Sequence, residues 1–400
     1  MRRNVNSPHP AGKPELPSSE ADSFSAVRVA IDARALLQER TGIGTYTFAI
    51  ARGLAARPDT SVGLFAPRPF PASVNGSGPG AFSLQTDHHP FGIVWLHSTL
   101  PQRIARWGAD VLISALTIGP ARGETPFVST VHDLTPLTHP EWHAARTLIG
   151  FVPLWERTVE RASRFLCVSQ TTARDLVSRY PETANRVRVA RNGVDTSFFS
   201  PADDPVARRR TRQRYSAGRP FVLYLGTLEP RKNVEALVVA CERMWGRRRS
   251  RPDLVLAGGA GWKTGSLHRR IARSAYRDKI HVTGYAARDA ARELYRSAEA
   301  FVYPSLAEGF GLPILEAMAC GTPVVASTAE ALLEVGGDAA LYAPPRDVEA
   351  LSRAIERALE DSPLRQQLAS AGPRRAAGFR WEDAADATAA TIAEAAGDAR

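Results

Sequence analysis

The stretch that most constrains the fold of this chain reads FVYPSLAEGFGLPILEAMACGTPVVAS, from Phe301 to Ser327. A strand-like run, Ala300 to Tyr303, leads into a loop over 304–311. A compact helix from Leu312 to Ala319 follows, closed by Cys320-Gly321, and then a second buried-strand pattern, Pro323 to Ala326. Strand, glycine-bearing loop, helix, strand is α/β architecture, and it also makes a phosphate-site geometry. The helix start offers free N–H groups and a positive dipole end, and glycines at 309 and 311 let a ligand approach the backbone. Two glutamates frame the unit, Glu308 in the loop and Glu316 about one turn into the helix. On pattern alone, a plain packing turn with a solvated helix glutamate fits as well, because the motif is weaker than a full phosphate loop.

The same alternation runs the length of the chain. Val27 to Ile31 reads as a strand, and Thr41-Gly42-Ile43-Gly44-Thr45-Tyr46 opens an amphipathic helix to about residue 57. Gly42-x-Gly44 lacks the dinucleotide spacing; it serves either a ligand loop or a tight packing turn. Strands are expected at 61–66, 82–86, 110–114, 126–131, 165–168 and 187–190, and helices at 144–162 and after Ser169, an N-cap candidate. The segment WLHSTLPQRIARW, Trp95 to Trp107, is amphipathic and interrupted near Pro101. It suits a membrane interface or, through Leu100, Ile104 and Trp107, the core. Strand 126–131 delivers His132 and Asp133 at its C-terminal end, where open α/β sheets collect ligands. A lone histidine there is more often a structural one.

Residues 196–218, with Pro201, Pro205 and the basic run Arg208 to Arg212, read as a linker. A second alternation begins with strand 221–225. Gly226 and then Arg231-Lys232 precede a helix reaching about residue 245. Two cations beside a glycine turn at a helix start suit a diphosphate, Lys as a point charge and Arg as a two-oxygen chelate; exposed surface cations are the plain alternative. Strands at 253–257, 279–283 and 339–342 follow, with helices at 289–298, 330–335, 347–360, 363–376 and, alanine-rich, 381–396.

Length and charge set the remaining bounds. Four hundred residues suit two domains. The net charge of +10 suits an anionic ligand or an anionic membrane surface. The clusters Arg208 to Arg212 and Arg247 to Arg251 are not interleaved with aromatics, which argues against nucleic acid and for solvated basic faces. Cys167, Cys241 and Cys320 lie apart in apolar settings, as buried thiols of a reducing cytoplasm would. No apolar run reaches ~18 residues, so no membrane-spanning helix is expected. The Pro-, Ser- and charge-rich residues 1–26 read as a disordered tail.

The run E-G-F-G-L-P-x-L-E-A-M-A-x-G-x-P-V resembles the signature of retaining glycosyltransferases of family 4, whose hallmark E-x7-E corresponds here to Glu308 and Glu316. T-V-H-D-L-T-P-L, N-G-V-D and G-T-L-E-P-R-K-N resemble further segments of that family, so the similarity covers about residues 27–395. It implies a GT-B fold: two Rossmann-like, doubly wound α/β domains facing a central cleft, with the C-terminal helix crossing back to the first lobe. The divisions are then an acceptor-side domain at 27–200, a linker at 201–218, a nucleotide-sugar domain at 219–380 and a crossover helix at 381–400.

The resemblance also implies roles. Arg231, Lys232 and the N–H groups around Gly309, Phe310, Gly311 and Leu312 would hold the departing diphosphate, Glu308 the sugar hydroxyls and Glu316 the ribose. His132 would reach the transferred sugar from across the cleft, with Asp133 orienting it or binding acceptor. Gly42 and Gly44 would lie near the diphosphate, Gly226 beside the donor and Tyr285 at the base. Many members carry Arg directly after the glycine where this chain has Thr227, and Arg231 would supply that charge. No metal or other cofactor is implied. The expected reaction moves a hexose, mannose from GDP-mannose by similarity to mannosyltransferase-like members, to a glycan or polyprenyl-linked acceptor at the cytoplasmic membrane face. UDP-glucose-type transfer and a non-catalytic sugar-nucleotide-binding protein are the alternatives.

Overall fold

A computed structural model describes residues 26–38, 41–75, 80–247 and 251–398. The tail expected at 1–26 falls, save Ala26, outside the described residues. The first lobe is built on seven strands: β1 Val27–Asp32, β2 Thr60–Ala66, β3 Ser83–Thr86, β4 Val111–Ser114, β5 Phe127–Val131, β6 Arg164–Cys167 and β7 Val187–Val189. The second has six: β8 Phe221–Leu225, β9 Asp253–Ala257, β10 Ile280–Gly284, β11 Ala300–Tyr303, β12 Val324–Ser327 and β13 Ala340–Ala343. Every pairing is parallel, in the orders β3-β2-β1-β4-β5-β6-β7 and β10-β9-β8-β11-β12-β13. Helices cover both faces of such sheets, which is why the central strands are near-continuous apolar runs such as FVLYL and DLVLA.

Each strand order reverses once, between β1 and β4 in one sheet and between β8 and β11 in the other. Crevices open at the C-terminal ends of strands at such reversals. The C-terminal helix Trp381–Gly397 returns to the first lobe. There Asp386 pairs with Arg57 at 2.7 Å, and Glu394 with Arg164 and Arg188 at 3.0 and 2.7 Å.

Two expectations are corrected, and one open alternative, at Trp95–Trp107, goes to the core. The segment 201–218 is not a plain linker: Pro205–Ser216 is a helix, with Pro205 in its first turn and Asp204 capping it through the Val206 and Ala207 N–H groups. Proline was read as punctuation, but the first helical turn has no N–H to lose. Nor are the basic clusters simply solvated. Arg212 pairs with Glu299 at 2.5 Å, Arg247 with Glu356 at 3.0 Å and Arg251 with Glu360 at 2.8 Å. The Trp95–Trp107 segment forms two helices, Gly92–Ser98 and Leu100–Trp107, whose aromatics pack inward. Trp95 is fully buried and donates to Asp87 at 2.8 Å, while Trp107 packs edge-on against Phe65.

The three cysteines are buried free thiols. No helix among the described residues is long and apolar enough to cross a membrane.

Candidate active site

The second-lobe half of the site is set by the chain leaving β8 and β11 side by side. After Leu225 the backbone turns at Gly226 and tightens into a short 3-10 turn, Pro230–Lys232. Asn233 ends that turn in the left-handed region at φ 55°, a conformation Asn tolerates. Its amide donates to the carbonyls of Pro304 and Pro345 at 3.1 and 2.6 Å, fixing the turn against the end of β11. Arg231 and Lys232 are thereby aimed at the loop that carries Glu308.

Lys232 Nζ lies 2.6 Å from Glu308 Oε1 and donates to the Tyr303 hydroxyl at 2.7 Å. Arg231 donates to Glu308 Oε2 at 3.0 Å, to the Ala307 carbonyl at 3.1 Å and to Glu229 at 3.0 Å. Asp133 of the first lobe stands 3.9 Å from the same guanidinium. The Glu308 side chain is 7% exposed, so water screens this cluster little.

The lobes touch at the loop itself. A side chain on Gly309 would begin 1.6 Å from the His132 carbonyl oxygen, so only glycine allows this approach. Gly311 starts the helix Leu312–Ala319 at φ 112°, the second position that requires glycine. Gly42 faces Leu312 across the cleft, a Cβ there lying 3.8 Å from its side chain. His132 donates from Nε2 to the Ala115 carbonyl at 2.8 Å, because a carbonyl only accepts. This leaves Nδ1 as the acceptor nitrogen of the neutral ring, with Tyr46 edge-on at 5.0 Å.

Gly42, His132, Asp133, Arg231, Lys232, Glu308, Gly309 and Leu312 therefore converge. Gly44 is buried in the first turn of its helix, Gly226 turns the chain beside Gly258, and the Phe310 ring packs on Phe379. Glu316 stands apart from the charged cluster and accepts from Tyr295 Oη at 3.0 Å. Tyr285 follows the edge strand β10 and is 41% exposed, not a core aromatic.

Two family models match the chain. The one described as Glycosyltransferase Family 4 matches residues 40–198, and the one described as Glycosyl transferases group 1 matches residues 207–375. The chain belongs to glycosyltransferase family 4. Over 260 residues, 64% of the chain, it is 35% identical to the O-antigen chain mannosyltransferase B of Escherichia coli, covering 67% of that protein. Over 285 residues, 68% of the chain, it is 31% identical to the MMP alpha-(1->4)-mannosyltransferase of Mycolicibacterium hassiacum, covering 66% of it. Among solved structures, HepE of Anabaena in complex with UDP-glucose superposes with a TM-score of 0.71 at 20% identity, covering 92% of this chain and 99% of that one. That likeness shows the GT-B fold.

In this glycosyltransferase, charge states follow from neighbours. Burial alone would raise the Glu308 carboxyl, but Lys232 and then Arg231 pull it down to about 2. Burial also dominates at Glu316, where only the Tyr295 hydrogen bond and Arg288 oppose it, and the carboxyl rises to about 7. Burial lowers His132, keeping its imidazole neutral against the pull of the Ala115 carbonyl and Asp133. Burial and the adjacent Arg231 lower Lys232, with Glu308 opposing.

Sequence reasoning passed over Glu229, Tyr303 and Thr172. Glu229 is buried two residues from Arg231, and an acid written next to two cations was the available signal. Tyr303 ends β11 inside the motif, with nothing local to mark its hydroxyl. Thr172 of the first lobe donates to the Gly309 carbonyl at 3.1 Å across 137 residues of sequence.

Proposed function

We propose that this glycosyltransferase moves mannose from GDP-mannose, with retention, to a glycan or polyprenyl-linked acceptor in surface polysaccharide or glycolipid synthesis. The observation that carries the reading is the Arg231–Lys232–Glu308 cluster at the β8/β11 reversal, facing His132 across the cleft. The mannose assignment draws on the two mannosyltransferase relatives. A membrane-face acceptor is supported by the net charge of +10 and by exposed Phe91, Ile93 and Val94 on the first lobe.

Glu308, held ionised by two cations, is an acceptor for sugar hydroxyls, and the neutral His132 offers Nδ1 to another. Arg231, Lys232 and the N–H groups at the start of helix Leu312–Ala319 stabilise charge on the departing diphosphate. The C1–O bond to the phosphate breaks and the acceptor oxygen bonds C1 from the same face. The acceptor proton passes to the leaving phosphate oxygen, so no further base is needed. Glu316 takes the ribose hydroxyls, Gly42, Gly44 and Gly226 shape the walls of the donor site, and Tyr285 lies toward the base. In this scheme the two cations supply the charge that a metal ion would otherwise bring, so turnover survives EDTA.

The test is a panel of nucleotide sugars, read by thermal shift and by release of nucleoside diphosphate. GDP-mannose should stabilise the protein by mass action and turn over. Turnover with UDP-glucose alone would replace the donor, and no stabilisation or turnover with any sugar nucleotide would overturn the reading.

A further inference from the structure

We propose that Thr172 of the first lobe is a positioning residue for glycosyl transfer: by holding the Gly309 carbonyl it aligns the donor-site loop from across the cleft. The inference rests on the function proposed above and deepens it.

The hydrogen bonds around Thr172 leave its hydroxyl proton one destination. Ser169 caps the helix Gln170–Arg179, its Oγ accepting from the Thr172 N–H at 2.9 Å. The Ser169 hydroxyl donates to Thr172 Oγ1 at 3.0 Å. The Thr172 hydroxyl therefore donates onward to the Gly309 carbonyl at 3.1 Å. Both side chains are buried, Ser169 completely, and a β-branched side chain has few rotamers to choose from. The relay is rigid from the helix cap to the loop.

A trans peptide is planar, with its C=O and N–H pointing in opposite directions. Committing the Gly309 carbonyl to the first lobe turns the Phe310 N–H back toward the second-lobe side, where Glu308 and the start of helix Leu312–Ala319 lie. The loop has no side chain at 309 with which to orient itself, so the hydroxyl from the other lobe does this work.

The same helix turn is gripped from the second lobe. Glu334 accepts from the Gln170 and Thr171 N–H groups at 3.0 Å each and from the Thr171 hydroxyl at 3.1 Å. Arg174 pairs with Glu330 at 3.0 Å. Glu334 thus satisfies two N–H groups that a helix start cannot satisfy internally. These contacts and the Thr172–Gly309 bond join the two lobes at one helix start.

The full chain is tested as Thr172→Val, which keeps the shape and removes the hydroxyl, and Thr172→Ser, which keeps the hydroxyl. Expected for T172V is a kcat about 10- to 100-fold lower with the donor KM within about threefold, and for T172S a kcat within about threefold of wild type. A merely structural role would instead lower the melting temperature and activity of both variants in parallel, and that result overturns the proposal, as does wild-type kcat in T172V. Hydrogen–deuterium exchange over 305–311 reads the same bond without turnover. Faster exchange in T172V than in T172S and wild type supports it, and equal exchange in all three overturns it. Absence of turnover in the wild type would count against the proposed function, and the exchange result would still decide the role of Thr172.

Discussion

Glu308 and Glu316 belong to one stretch, and both are largely withdrawn from water, yet their surroundings set opposite charge states. At Glu308 the burial penalty is overcome by Lys232 at 2.6 Å and Arg231 at 3.0 Å, and the carboxyl sits at about 2. At Glu316 a single phenol donor faces the carboxylate, and the carboxyl sits at about 7. The loop glutamate is a permanent anion, whereas the helix glutamate changes charge near neutral pH. The contrast suits their proposed partners. A sugar ring beside a leaving diphosphate needs a fixed acceptor, while ribose hydroxyls can themselves supply the donors that draw Glu316 into its ionised form.

The largest effect should come from removing the permanent charge. Glu308→Gln keeps the shape and leaves two cations among fewer anions. Transfer should fall by about 10³-fold, the scale of losing a preorganised electrostatic contact. Breaking a buried ion pair from one side should also cost about 3–5 kcal/mol of stability in urea unfolding. Wild-type turnover in this variant would remove Glu308 from the site. Lys232→Met should follow at about 10²-fold, because Arg231 still reaches Glu308 and, in the proposed scheme, would still hold the diphosphate; a loss confined to stability would make Lys232 structural.

The pH dependence separates the two glutamates by sign. Glu308 has a folded value below the ordinary carboxyl value of 4.5. Its stabilisation is complete above 4.5 and is lost as pH falls toward about 2. Glu316 has a raised value, so between 4.5 and about 7 the folded protein binds the extra proton and its contribution to stability declines as pH rises. Glu316→Gln should flatten that slope in melts taken from pH 5 to 7. Nucleotide affinity in the wild type should weaken as pH falls through about 7, and E316Q should bind about tenfold more weakly without that dependence. An unchanged pH profile in E316Q would show that another group titrates.

The comparison also shows what could be read from sequence. The strands were legible because central parallel strands are apolar throughout, as in β8 and β9. The cations and Glu308 were legible because strand ends bring 231–232 and 308 to one reversal of the sheet order. Glu316 was visible as a residue but not as a titrating one, since that depends on Tyr295 from another helix. Helix Pro205–Ser216 was hidden by a proline that turned out to start it. Thr172 was passed over because its partner, Gly309, is distant in sequence and offers only a carbonyl.

The smallest change sharpens the contrast most directly. Tyr295→Phe removes the phenol that donates to Glu316 and leaves the aromatic contacts with Phe199 and Phe301 in place. The lost hydrogen bond should cost about 1 kcal/mol. That bond lowers the Glu316 carboxyl against burial, so its removal should move the midpoint of pH-dependent nucleotide binding above about 7. Glu308 is linked through Lys232 to Tyr303, not to Tyr295, so activity at high pH should stay near the wild-type value. A midpoint that does not move in Y295F, or that moves down, would separate the titration from Glu316 and remove the basis for treating the two glutamates as a fixed and a switchable anion.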